Sequence, residues 1–178
     1  MKIGIISDTH DNTRSLIEAI EYFNDNNIEL VLHCGDWVSP FLLHIFKEKL
    51  ECPLKGVTGN ADPSFLKFKY YYEKLELSEK QIQLSELFLD MEIDGKRIAV
   101  NHGQDRQLNK TIIESQLFDV YCIGHTHIQG IKKEGKTLVI NPGSLIGYFA
   151  EKGNMPRGFA VYDTEKGEAE LLDLDKLS

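Results

Sequence analysis

The feature that most constrains this chain is the alternation in its first third. Short apolar, β-branched runs at residues 2–7, 28–33 and 54–58 alternate with stretches of helical apolar spacing. In the first of these, Leu16, Ile17, Ile20 and Phe23 recur on one face across residues 13–27. In the second, Pro40 opens a turn that carries Leu42, Leu43, Ile45 and Phe46. A βαβαβ order requires parallel strands joined by right-handed crossovers. It also places the carboxyl ends of those strands along one edge of a sheet, where ligand sites form.

The second half is richer in strands. Residues 88–93 alternate, Asp94-Gly95 signals a two-residue hairpin, and residues 97–101 form the return strand. A helix is expected over 107–116 and a strand over 120–123. Residues 128–132 and 137–140 flank a second hairpin at Glu134-Gly135, and 159–162 and 168–172 flank Lys166-Gly167. There is no repeat, low-complexity segment or linker, so one domain is expected over 1–178. Two mixed sheets packed together with helices outside account for this order.

Composition excludes some function classes. No apolar run approaches the roughly 20 residues needed to span a bilayer. The opening Met1-Lys2-Ile3-Gly4-Ile5-Ile6-Ser7 is too short and then too polar for a secretory signal, so a cytoplasmic location is expected. Cys34, Cys52 and Cys122 are odd in number, lack CxxC spacing and read as reduced thiols. With 20 basic against 28 acidic residues, the net charge is −8 and no basic stripe for nucleic acid is present. Lys67, Lys69 and Lys74 lie among Phe65, Phe68 and Tyr70-Tyr71-Tyr72, which read as a half-buried helix or hairpin face. That stretch is also where an oligomer or partner contact would be sought.

Metal-competent residues recur where the expected strands end: Asp8-Thr9-His10, Gly35-Asp36, Gly59-Asn60, Asn101-His102-Gly103 and Gly124-His125-Thr126-His127. Side chains two apart on an extended chain point the same way, which would let Asp8 and His10, or His125 and His127, reach one cation. Carboxylate, imidazole and amide donors without thiolate suit Mn²⁺, Fe²⁺, Co²⁺, Ni²⁺ or catalytic Zn²⁺. Asp8, His10, Asp36, Asn60, His102, His125 and His127 are too many donors for one ion with an open position, whereas two ions sharing a carboxylate would use them all. The remaining histidines, His33 and His44, read as structural.

In this order the motifs resemble the calcineurin-like metallophosphoesterases. The opening Ile-Ser-Asp-Thr-His-Asp, the His-Cys-Gly-Asp and Asn141-Pro142-Gly143-Ser144 are most similar to the small single-domain bacterial and archaeal phosphodiesterase branch, over residues 1–163. The resemblance implies a four-layer α/β/β/α sandwich with a dinuclear site. Asp8, His10, Asp36 and His127 would hold one ion, and Asp36, Asn60, His102 and His125 the other, with Asp36 bridging. It also implies hydrolysis of a small phosphoester, often tested with Mn²⁺ or Ni²⁺, and Mn²⁺ is the ion expected here. A metal-bridging hydroxide would attack phosphorus in line. Asn60 would also orient the phosphate, and Gly143 and Ser144 would line the cleft. Arg106 and Arg157 are candidates for further phosphate contact.

Two positions depart from the pattern. Many members carry histidine after Gly-Asn, where this chain has Ala61, and His-Gly-His where it has His102-Gly103-Gln104. Both changes bear on protonation of the leaving group, for which Asp62 is the nearby replacement acid. Poor proton donation would favour phosphodiesters with acidic leaving groups. The alternatives on the same fold are a protein-binding scaffold without catalysis and a nuclease subunit acting on RNA or DNA.

Overall fold

Strand β1 (Lys2–Ile6) is apolar on both faces because both are covered, and β2 (Leu30–His33) and β3 (Leu54–Val57) share this character. The structure is a computed structural model that describes residues 1–149 and 153–177. Between these strands lie α1 (Thr13–Asp25) and α2 (Leu42–Lys49), as the apolar spacing predicts. Asn12 caps α1 by accepting a hydrogen bond from the Ser15 amide at 3.2 Å. Leu16, Ala19, Ile20 and Phe23 form the buried stripe of α1. The aromatic stretch is helix α3 (Phe65–Lys74), with Phe68 buried and Tyr70 exposed.

After α3 come β4 (Ile82–Ser85), β5 (Phe88–Ile93), β6 (Lys96–Asn101), α4 (Arg106–Ser115), β7 (Val120–Cys122), β8 (Gly130–Glu134) and β9 (Thr137–Asn141). A small ribbon pairs β10 (Tyr148–Phe149) with β11 (Gly153–Asn154). The chain continues through β12 (Gly158–Asp163), β13 (Glu168–Asp173) and a 3-10 turn, Leu174–Lys176. One sheet has the order β13-β12-β1-β2-β3-β4 and the other β5-β6-β7-β9-β8. In the first sheet β1 to β4 are parallel, and β12 and β13 add antiparallel at one side only. In the second, the parallel strands β6, β7 and β9 are flanked on both sides by the antiparallel β5 and β8.

Two details differ from the sequence reading. Strand β4, whose polar Gln83 and Ser85 obscure its pattern, adds a fourth parallel strand beside β3. In the second hairpin Glu134 pairs with Thr137, so the loop is Gly135-Lys136, one residue later than expected. Gln116 sets this register: its side chain accepts from the Lys136 amide at 2.6 Å and donates to the Glu134 carbonyl at 3.1 Å. A long-range side chain fixes the turn, and local spacing cannot reveal it.

Three apolar clusters define the layers. Ile3, Ile5, Leu30, Leu32 and Val57 of the first sheet pack against Leu89, Ile98, Val100, Val120 and Ile140 of the second. On the outer face of the first sheet, Val31, Leu54 and Phe159 meet α1, α2 and α3. On the outer face of the second, Ala99 and Tyr121 meet Ile112 of α4. The result is the expected α/β/β/α sandwich. No helix among the described residues is long and apolar enough to cross a membrane.

Phe23 is fully buried and packs edge-on against Phe159, with ring centroids 4.9 Å apart. We predict that Phe23→Ala lowers unfolding free energy by about 3–5 kcal/mol in urea denaturation. A loss below about 1 kcal/mol would contradict this packing.

Candidate metal centre

The residues after β1, β2 and β3 meet those after β6 and β7 where the two sheets adjoin. Asp8 Oδ1 lies 3.1 Å from His127 Nε2 and 3.8 Å from His10 Nε2. Asp36 Oδ2 lies 3.2 Å from His102 Nε2 and 3.6 Å from His10 Nε2. Asn60 Oδ1 stands 3.1 Å from His102 Nε2. The His125 ring meets His102 edge-on, with centroids 5.2 Å apart. All seven side chains singled out in the sequence therefore occupy one locality.

The strand ends meet as expected, but the backbone aims the paired side chains differently from the alternation expected. Asp8 (φ 52°), His10 (φ 43°), His125 (φ 66°) and His127 (φ 57°) are left-handed, so strand alternation does not aim them. Asp36 (φ 58°) belongs to the same class. Asp and His tolerate this region better than most residues, and a short run of such turns swings successive side chains inward.

Each carboxylate is held by one oxygen and presents the other. Asp8 Oδ2 accepts from the His125 amide at 2.9 Å, and Asp36 Oδ1 accepts from the Ala61 amide at 2.8 Å. Two imidazoles are treated alike: Nδ1–H of His102 donates to the Cys34 carbonyl at 2.8 Å, and that of His127 donates to the Tyr148 carbonyl at 3.2 Å. In the neutral rings these bonds assign the tautomer and leave each Nε2 lone pair directed inward. The turns must also be bare where they cross the carboxylates. A Cβ on Gly59 would lie 2.2 Å from Asp36 Oδ1, and one on Gly124 would lie 2.6 Å from Asp8 Oδ2.

The donor set fits divalent cations. Asp8 Oδ1 and His10 Nε2 are buried without a hydrogen-bond partner, an arrangement costly for polar atoms unless a ligand satisfies them. The ligand atoms of Asp8, His10 and His127 lie within 4.8 Å of one another, as do those of Asp8, Asp36 and His102. Asn60 adjoins the second group, and His125 stands at its margin.

Electrostatics follow from the same contacts. Burial alone would raise the Asp8 carboxyl, but the His10 and His127 rings outweigh it and hold the group well below the usual range. Burial opposes charge on His102 and His127, yet Asp36 and Asp8 raise both above the ordinary 6.5. Burial and the neighbouring His102 lower His125. In the metal-free chain, imidazolium at 102 and 127 contributes stability that is present below the unfolded pKa and lost as pH rises through the raised values. A cation must displace those protons. We predict that Mn²⁺ affinity, measured by calorimetry, falls about tenfold per pH unit for each proton displaced below neutrality. Affinity unchanged between about pH 5.5 and 7.5 would contradict this.

Other residues singled out in the sequence have different surroundings. Asp62 accepts from the amides of Asp36, Val38 and Gly59, and burial raises its carboxyl although those bonds oppose the rise. Ser144 is fully buried, and its hydroxyl donates to the Asp8 carbonyl at 2.9 Å. The Gly143 amide donates to Asn141 Oδ1 at 2.9 Å. The Arg157 guanidinium is committed to Ser15, Glu18 and Asp175, while Arg106 begins α4 and is exposed.

His33 is structural, as the sequence reading had it, but its role as a support and those of Asn101 and Asn141 were not read from the sequence. His33 is buried and stacked on Trp37 at 3.6 Å; its Nδ1 accepts from the Gly35 amide, so Nε2–H donates to Thr9 Oγ1 at 2.8 Å. Asn101 and Asn141 repeat one device at two strand ends. Each accepts from the glycine two residues on, Gly103 or Gly143, while its amide reaches the Leu87 or Gly124 carbonyl. The signal was the Asn-x-Gly spacing, which occurs at both strand ends.

With this geometry in place, comparison with known proteins decides the family. The model of the calcineurin-like phosphoesterase superfamily domain matches residues 1–167. The chain belongs to the calcineurin-like phosphoesterase superfamily. Phosphodiesterase MJ0936 of Methanocaldococcus jannaschii is 39% identical over 175 residues, which cover 98% of this chain and 100% of the relative. The solved structure of an archaeal phosphodiesterase superposes with a TM-score of 0.86 at 36% identity, covering 97% of this chain and 99% of that one. Zinc-complexed Vps29 from Entamoeba histolytica superposes with a TM-score of 0.67 at 18% identity, covering 98% and 99% of the two chains; this likeness shows the fold alone. Membership of this superfamily makes the chain a metallophosphoesterase, and the buried Asp and His cluster is its candidate centre for divalent metals.

Proposed function

We propose that this phosphoesterase hydrolyses small phosphodiesters at a dinuclear centre. The observation that carries the reading is the paired presentation of Asp8 and Asp36. Each has one oxygen tied to the backbone and the other within 3.2 Å of an inward-facing imidazole nitrogen. Asp8, His10, Asp36 and His127 would hold one ion, and Asp36, Asn60, His102 and His125 the other. Two bound cations supply Lewis-acid charge and an acidified water. Carboxylate, imidazole and amide donors without thiolate suit Mn²⁺, Fe²⁺, Co²⁺, Ni²⁺ or catalytic Zn²⁺, and the resemblance to the family makes Mn²⁺ the first to test.

The chain's own residues set the substrate preference. Asn60 is exposed beside His102, where its amide can orient a phosphoryl oxygen. Ala61 places no imidazole beside the leaving group. The motif loops carry no lysine or arginine, and Arg157 is committed elsewhere, so a diester with one negative charge suits the site better than a monoester with two. The net charge of −8 disfavours long nucleic-acid polymers. We assign Gly143 and Ser144 a place beneath the centre, bracing the turn that holds Asp8. Three unpaired thiols suit a reducing compartment, which supports a cytoplasmic location.

The test is hydrolysis of bis(p-nitrophenyl) phosphate by chelator-stripped protein, before and after Mn²⁺, with Asp36→Asn as control. Activity should return with metal in the parent and remain at least about a hundredfold lower in the variant. Folded parent that stays inactive with Mn²⁺, Ni²⁺, Co²⁺ and Zn²⁺ would contradict the proposal.

A further inference from the structure

Asp62 was expected from the sequence to act as an acid, but its carboxylate has another task. Oδ2 accepts from the Gly59 amide at 2.7 Å and the Asp36 amide at 3.1 Å, and Oδ1 accepts from the Val38 amide at 2.7 Å. Asp36 answers across the same gap by accepting from the Ala61 amide at 2.8 Å. The turns after β2 and β3 are thus latched from both sides.

The latch holds strained backbone. Val38 has φ 72°, an outlier for a β-branched residue, and Asp36 has φ 58°. Between them, Trp37 Nε1 donates to the Val57 carbonyl at 2.7 Å, which fastens the same segment to β3. The segment in turn supports the turn after β1. The His10 amide donates to the Asp36 carbonyl at 3.1 Å, and the Asp11 amide donates to the Trp37 carbonyl at 3.2 Å. One carboxylate therefore organises backbone beneath Asp36 and His10, and it sits in the turn that carries Asn60.

We infer that Asp62 is a positioning residue: by binding three backbone amides, it sets the direction of the Asp36 carboxylate and the Asn60 amide for metal binding. The inference rests on the dinuclear reading above. An asparagine at this position keeps the volume but turns an N–H₂ donor towards amide donors, so the latch loses at least one bond and gains a repulsion. Residues that orient metal ligands typically alter affinity by about 10–100-fold when changed.

The experiment is Mn²⁺ calorimetry on the parent and Asp62→Asn, paired with rates for aryl phosphodiesters of graded leaving-group pKa. Asp62→Asn should weaken Mn²⁺ binding by about tenfold or more. Its dependence of rate on leaving-group pKa should keep the parental slope. To guard against misfolding of the single variant, the comparison is repeated on Val38→Gly, because glycine adopts φ 72° without strain. The affinity drop should persist there, because Asp36 and Gly59 still lose their acceptor. Parental Mn²⁺ affinity in Asp62→Asn in both backgrounds would overturn the inference. So would a rate loss that grows with leaving-group pKa, which is the signature of a proton donor. A parent that binds no Mn²⁺ would instead overturn the dinuclear reading on which the inference rests.

Discussion

The hydrogen bond from the His125 amide to Asp8 Oδ2 joins the turn after β1 in one sheet to the turn after β7 in the other. Asp8 is fully buried at that seam. A carboxylate removed from water needs compensation, and here it comes from this amide and from the His10 and His127 rings. The close crossing of Gly124, the bond from the Ser144 hydroxyl to the Asp8 carbonyl and the Asn141 bracket on Gly124 all serve this junction. The two sheets share an apolar core over most of their contact, but at their common edge they are joined by polar bonds whose geometry also defines the centre.

The supports are arranged in pairs. Asn101 and Asn141 fasten the strand ends that precede His102 and follow His127, and Asp62 and His33 fasten the turns that carry Asp36 and Asp8. Left-handed residues concentrated at Asp8, His10, Asp36, Val38, His125 and His127 hold backbone strain at one place. The apolar clusters on both sides of each sheet supply the stability that lets such strain persist.

Much of this was legible in the sequence, and the reasons are physical. Buried parallel strands reveal themselves as continuous apolar runs, so β1, β2, β3 and the shared edge they create could be read directly. The Asp94-Gly95 turn was equally plain. Strand β4 was not, because a short edge strand with alternating polar residues has little apolar signal. The hairpin loop at Gly135-Lys136 shifted by one residue because Gln116, distant in sequence, chooses its register. The metal-competent residues were found from type and order, and the shared edge of the strands brings them together, but strand alternation does not aim Asp8 with His10 or His125 with His127. They meet through left-handed turns, whose φ values depend on tertiary bonds that no local pattern records. Asp62 illustrates the same limit: its chemistry suggested an acid, and only its three amide partners reveal a latch.

The central claim is that Asp36 is shared by two cations at the junction of the sheets. The most direct measurement is a crystal structure of Mn²⁺-soaked protein with anomalous difference density. The account predicts two peaks about 3.5–4 Å apart. One should be bound by Asp8, His10 and His127, the other by Asn60, His102 and His125, with Asp36 touching both. A single peak, or two peaks that Asp36 does not bridge, would contradict it.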